Sequence, residues 1–108
     1  MTKWTWLEHT YLRLSRKYFR NNLPLVALAW NQNAGKWRAI NGKTHFHGGV
    51  PTLILLNERL RDMPKLAQLI LLHEMVHVYL PYETKHHGPE FQREMRRLAR
   101  VAAFDDLW

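Results

Sequence analysis

Apolar residues open this chain at helical spacing. Leu7, Tyr11, Leu14 and Tyr18 fall on one face. Thr5 and Glu8 stand just ahead in the capping-box pattern that starts a helix. Asn21, Asn22 and Pro24 predict its end. Leu23 to Trp30, LPLVALAW, is an unbroken apolar run of strand length, and QNAG reads as a turn.

The next segment alternates. KWRAI and KTHFH flank Asn41-Gly42, a dipeptide that tolerates positive φ at both positions and so predicts a two-residue hairpin. That register pairs Ile40 with Lys43, Ala39 with Thr44, Arg38 with His45 and Trp37 with Phe46. It puts Trp37, Ala39, Thr44 and Phe46 toward the core, and Lys36, Arg38, Lys43, His45 and His47 on the opposite face with Ile40 at its end. Thr52 to Leu56 is a third strand.

Pro64 suits a helix's first turn. Lys65 to Leu80 is apolar nearly all round, which predicts a buried helix, stopped at Pro81. Gly88-Pro89 starts a last helix. Phe91, Met95, Leu98 and Ala102 form its apolar stripe, while Arg93, Arg97 and Arg100 lie on its other side with Arg96 nearby. The order helix, strand, hairpin, strand, helix, helix predicts an α+β fold. Its small, mainly antiparallel sheet, the hairpin plus flanking strands, packs on the three helices. With no repeat, linker or low-complexity stretch, residues 1–108 read as a single domain.

The buried helix carries a polar cluster that packing alone does not explain. His73 and His77 are four apart and project from one helical face, where two imidazoles can hold one Zn²⁺ at about 2.0–2.1 Å each. Glu74 is one step round, badly placed as a ligand but able to reach a water at the metal. This is the HExxH arrangement of two ligands and a general base on one turn. The bland alternative is two helical histidines with no ligand. Against it, a glutamate in a buried helix needs partners for its charge.

Catalytic zinc usually takes three protein ligands and keeps one open position. The metzincin spacing HExxHxxGxxH is not met, since Leu80 stands at its glycine and Glu83 at its last histidine. A thermolysin-type glutamate is not met either, since Arg97 occupies that place. His86 and His87 are the nearest competent groups, with Glu83, Glu90 and Glu94 as weaker candidates.

Composition narrows the setting. A 46% hydrophobic fraction and five tryptophans suit a folded globular chain. The lack of cysteine excludes a disulfide framework and a thiolate metal site, and fits a reducing cytosol. The N-terminus has no long apolar segment of the signal-peptide kind, and His73 and Glu74 interrupt the longest apolar run, so no membrane span is expected. A formal charge of +7 favours a polyanionic partner, and ordinary solubility explains the charge equally well. The basic hairpin face, with Trp30 near it for stacking, and the arginines of the last helix are candidate contacts for single-stranded DNA: Lys36, Arg38, Lys43, Arg93, Arg97 and Arg100. His45 and His47 form an HxH pair without an evident third ligand, and read as part of that basic face.

HEMVH followed by HHGPEFQREM resembles the SprT-like zinc metalloproteases, the Spartan-type group. YLRLSRKYFRNNLP, Trp30 to Gly35 and LILLNERL are similar to its opening helix, first strand and turn, and the strand before the active-site helix. The resemblance implies a minimal zincin-like domain with Zn²⁺ as cofactor. It implies His73, His77 and His87 as ligands and Glu74 as the catalytic glutamate. His86 has no counterpart in the motif. The Gly-Pro start of the last helix also favours His87, the residue directly before it. Tyr79 occupies a position near the helix end that is often aromatic in the group, and is expected to pack rather than assist an oxyanion.

The implied activity is a zinc-dependent endopeptidase working through a zinc-activated water with Glu74 as general base, with DNA-associated proteins among its candidate substrates. By analogy with zinc proteases generally, an extended peptide is expected along Thr52–Leu56 by strand addition. The expected location is cytoplasmic, DNA-associated positions included. The competing readings are a metal- or nucleic-acid-binding module with little catalysis, and a zinc hydrolase of a non-peptide bond.

Overall fold

The computed structural model describes residues 5–32, 34–80 and 87–107. Helix α1 spans Trp6–Tyr18 and opens on the expected capping box. The Thr5 hydroxyl accepts from the Glu8 N–H at 3.2 Å, and the Glu8 carboxylate accepts from the Thr5 N–H at 3.1 Å. Two left-handed residues, Arg20 at φ 54° and Asn21 at φ 59°, turn the chain out of the helix. The Tyr11 hydroxyl then donates to the Pro24 carbonyl. That contact, and the missing N–H of Pro24, keep the start of LPLVALAW out of the sheet. Strand β1 is accordingly Ala27–Asn31, and Leu25 is exposed.

The hairpin sits elsewhere than expected. Gly35–Ala39 forms a short 3-10 helix. Strand β2 begins at Gly42 and runs to His47, and strand β3 is Val50–Asn57. Their turn is Gly48-Gly49, with φ 57° and 82°, closed by the pair His47 and Val50. Both dipeptides can make this turn. The partner strand decides between them: VPTLILLN is longer and richer in β-branched and apolar residues than KWRAI. The Ile40–Lys43 register is therefore not formed. Lys36 and Arg38 sit on the 3-10 helix, so Arg38 is not paired across a ladder with His45. His45 is half-buried, its Nε2 enclosed without a hydrogen-bond partner among the described residues, so it is not part of an exposed basic face.

The sheet order is β1-β3-β2. β1 runs parallel to β3, from Ala27 beside Leu53 to Asn31 beside Asn57, while β2 is antiparallel to β3 with a bulge at His45/Phe46. The sheet is thus mixed, not mainly antiparallel, because the chain crosses over through the 3-10 helix and β2 before β3 inserts between its neighbours. Asn57 holds that crossover. Its side chain donates to the Trp37 carbonyl at 2.6 Å and the Ile40 carbonyl at 2.9 Å, and its Oδ1 accepts from the Arg59 N–H. Asn57 is fully buried. Asn57→Ala should therefore lower unfolding free energy by roughly 1–3 kcal/mol, the range for removing one partner from a buried hydrogen-bond set. Urea unfolding measures this, and a change under about 0.5 kcal/mol, the size of an ordinary surface substitution, would rule out the tether.

Helix α2, Pro64–Tyr79, carries Pro64 in its first turn and lies against the sheet and α1. Its Leu71, Leu72, Met75 and Val76 join Leu7, Tyr11 and Leu14 of α1 and Ile54 and Leu56 of β3 in one core. Helix α3, Pro89–Arg100, is capped by Gly88 and adds Phe91 and Leu98. Ala102, expected on its apolar stripe, lies past the helix end and is exposed at φ 65°. Pro81, Glu83 and His86 lie outside the described residues. Among the described residues no helix is long and apolar enough to cross a membrane.

Candidate metal centre

The core requires α2 to bury most of its circumference, which carries its polar cluster inward. Glu74 is 5% exposed, while His73 and His77, one turn apart, are half-buried. His87 comes from the other direction. It stands just before the Gly88 cap of α3 with φ 62°, a left-handed conformation uncommon for a residue with a side chain. That bend turns its ring back over α2. His87 Nε2 lies 3.0 Å from His73 Nε2. The ring centroids of His73, His77 and His87 are 4.9–5.2 Å apart pairwise.

One nitrogen from each of these histidines can be chosen so that all three lie within 4.8 Å of one another. Imidazole nitrogens around a tetrahedral ion stand about 3.3–3.4 Å apart, given bonds of about 2.0–2.1 Å. Burial, reinforced by the charge of His87, pulls the His73 pKa down to about 4, so at neutral pH its ring keeps the uncharged form that ligation needs. Three imidazoles with no thiolate or carboxylate among them form a donor set suited to Zn²⁺.

Phe91, one helical turn beyond His87, backs the cluster. Its ring lies 5.0 Å from His73, 4.7 Å from His77 and 4.7 Å from His87, and it is almost fully buried. It belongs to the apolar stripe of α3 and also walls the three imidazoles off on one side.

On the other side an open cleft of about 310 Å³ is lined by the three histidines and Glu74 together with Gly42, Lys43, Thr44 and Phe46 of β2. The Thr44 hydroxyl donates to Glu74 Oε1 at 2.8 Å. Burial raises the Glu74 pKa above the ordinary carboxyl value, and the Thr44 hydrogen bond partly opposes that shift. At Gly42 strand and helix approach closely. A Cβ there would stand 2.8 Å from Ile70 Cγ2, 3.1 Å from Leu56 Cδ2 and 3.3 Å from Glu74 Cγ. The glycine expected as a turn residue is therefore a close-approach residue, and its φ is not positive.

The remaining candidates fall outside this cluster. Glu94 is buried but paired with Arg97, and Glu90 is exposed. Arg97 also donates to the Tyr18 carbonyl at 2.8 Å and lies over the Phe19 ring, so it is engaged in the core edge rather than displayed on a basic face. Tyr79 packs against Phe19 with ring centroids 5.5 Å apart and does not line the cleft. Sequence patterns offered no signal for Thr44 or Asn57, because both act through partners distant along the chain.

No curated protein matches the chain. The profile of the SprT-like family matches residues 7–105, from the first buried leucine of α1 past the end of α3 and across every element of the site. The chain belongs to the SprT-like family.

Proposed function

We propose that this chain is a zinc-dependent endopeptidase. The observation that carries the reading is a buried carboxylate, Glu74, set beside three converging imidazoles at the wall of an open cleft. Zn²⁺ held by His73, His77 and His87 would supply Lewis acidity, acidifying a water and polarising a carbonyl. Glu74 takes the proton of the attacking water and passes it to the departing amine. Its raised pKa suits the first of these duties, since a weaker acid has a stronger conjugate base.

The fold supports a different peptide track from the one expected. Thr52–Leu56 belongs to β3, which is hydrogen-bonded on both sides and has no edge to offer. β2 pairs on one side only among the described residues and lines the cleft. An extended peptide added to β2 would run past the histidines. Metal should be indispensable. Casein hydrolysis should disappear on chelation and return with added Zn²⁺, and activity that survives exhaustive chelation would sink the reading.

Single-stranded DNA as a partner, and a cytoplasmic DNA-associated location, belong to the same proposal. They are supported by the +7 charge, the lack of cysteine and the exposure of Lys36, Arg38, Lys43, Arg93 and Arg100. The casein assay is run with and without single-stranded DNA at two salt concentrations, because phosphate contacts weaken steeply with salt.

A further inference from the structure

We propose that Thr44 is a positioning residue that holds the Glu74 carboxylate toward the three histidines, leaving Oε2 as the oxygen that handles the proton. The inference rests on the general-base reading of Glu74 and extends it to a second element of the fold.

Thr44 stands opposite Ile54 in the β2–β3 register. Opposed residues of an antiparallel pair share a face, and Ile54 is wholly buried, so the Thr44 side chain points toward the helix-covered side of the sheet. Its hydroxyl lies 2.8 Å from Glu74 Oε1 and 3.4 Å from the Glu74 carbonyl oxygen. A hydroxyl has one proton to give. The shorter contact, to a group that can be charged, takes it. Oε1 is thereby tied to the strand, and Oε2 remains for the cleft.

The two partners differ in stiffness, and that difference makes the contact directional. Threonine is β-branched with a restricted χ1, so its hydroxyl is placed by the strand backbone. Glutamate has three side-chain torsions and would otherwise sample several of them. The stiff partner therefore sets the flexible one. Gly42, two residues earlier on the same strand, lets β2 approach α2 closely enough for the short threonine side chain to reach.

Two variants separate the hydroxyl from the packing. Thr44→Val keeps the shape and removes the donor. Thr44→Ser keeps the donor and removes the methyl group. Thr44→Val should lower kcat about 10–100-fold, the scale for misplacing a catalytic group by about an ångström, with KM and zinc content unchanged. Thr44→Ser should recover most of kcat. Wild-type kcat in Thr44→Val, or an equal loss in Thr44→Ser, would overturn the proposal.

A second readout does not depend on hydrolysis. In protein with ¹³C-labelled glutamate carboxyl groups, the Glu74 resonance is assigned through its loss in Glu74→Gln. At one fixed pH it should move in Thr44→Val and return toward the wild-type position in Thr44→Ser. An unmoved resonance defeats the positioning role whatever the enzyme does. A moved resonance in a protein that cleaves no peptide leaves the positioning intact and defeats the peptidase reading instead.

Discussion

Glu74→Gln is expected to abolish peptide hydrolysis while leaving the metal in place. The substitution is close to isosteric, and its amide oxygen can still accept from the Thr44 hydroxyl that now meets Oε1 at 2.8 Å. What it loses is the capacity to take up a proton. General acid–base catalysis contributes typically about 10²–10⁴-fold, and the proposed mechanism gives both transfers to one group, so a loss of at least that size is expected. Initial rates on casein, beside zinc content by elemental analysis, read the two consequences separately. A variant that retains most of its rate would remove Glu74 from the mechanism.

The same substitution carries a stability signature in metal-free protein. Burial raises the Glu74 pKa above its ordinary 4.5, so the folded state holds that proton more tightly than the unfolded chain. Its contribution to stability is full below the unfolded value and is lost as pH rises through the folded one. At neutral pH the ionised carboxylate thus weighs against folding, and glutamine removes that burden. Glu74→Gln should melt higher than wild type at pH 7, with the gap closing below the ordinary carboxyl range. The downward shift of His73, common to both proteins, affects the two melts alike.

The second large effect is expected at the third imidazole. His87→Ala should release zinc, because it reduces three converging donors to two. Changes beyond the ligand shell alone cost about 10–100-fold in affinity, so removal of a ligand should exceed that. His86→Ala, altering the neighbouring residue in sequence, should leave zinc content and rate close to wild type. A competition titration with a chromophoric chelator measures both affinities. The reverse outcome, loss in His86→Ala and retention in His87→Ala, would reassign the ligand.

Much of this site was legible along the chain because its information is local. Two histidines four apart need only a helix to bring them together, and the apolar run around HEMVH specifies that helix. His87 was legible through its neighbours, since Gly88-Pro89 starts the helix that presents it. The Thr5–Glu8 box and the stripes of α1 are equally short-range. Apart from Ala102 beyond the end of α3, the misreadings involve pairings made across the fold. Asn41-Gly42 and Gly48-Gly49 are both competent turns, and the choice fell to whichever neighbouring run β2 pairs with. Parallel pairing of β1 with β3 depends on a crossover that no short window contains. Arg97 looked like a surface charge because its contacts with Tyr18 and Phe19 come from the opposite end of the chain. Thr44 was assigned to the core face of a strand, which is correct, but the carboxylate it meets lies thirty residues away.

The close approach at Gly42 has an evolutionary consequence. HEMVH and HHGPEF hold every group proposed to touch the reacting atoms, so a lineage is naturally judged active by whether it keeps them. Yet one added methyl at position 42 would press on Ile70, Leu56 and Glu74 together. Silencing can therefore enter through a residue that has no side chain, in a strand outside both motifs, and leave the signature unchanged. In relatives of this chain, a residue larger than glycine at position 42 would displace the Ile70, Leu56 or Glu74 side chain even where both motifs are kept.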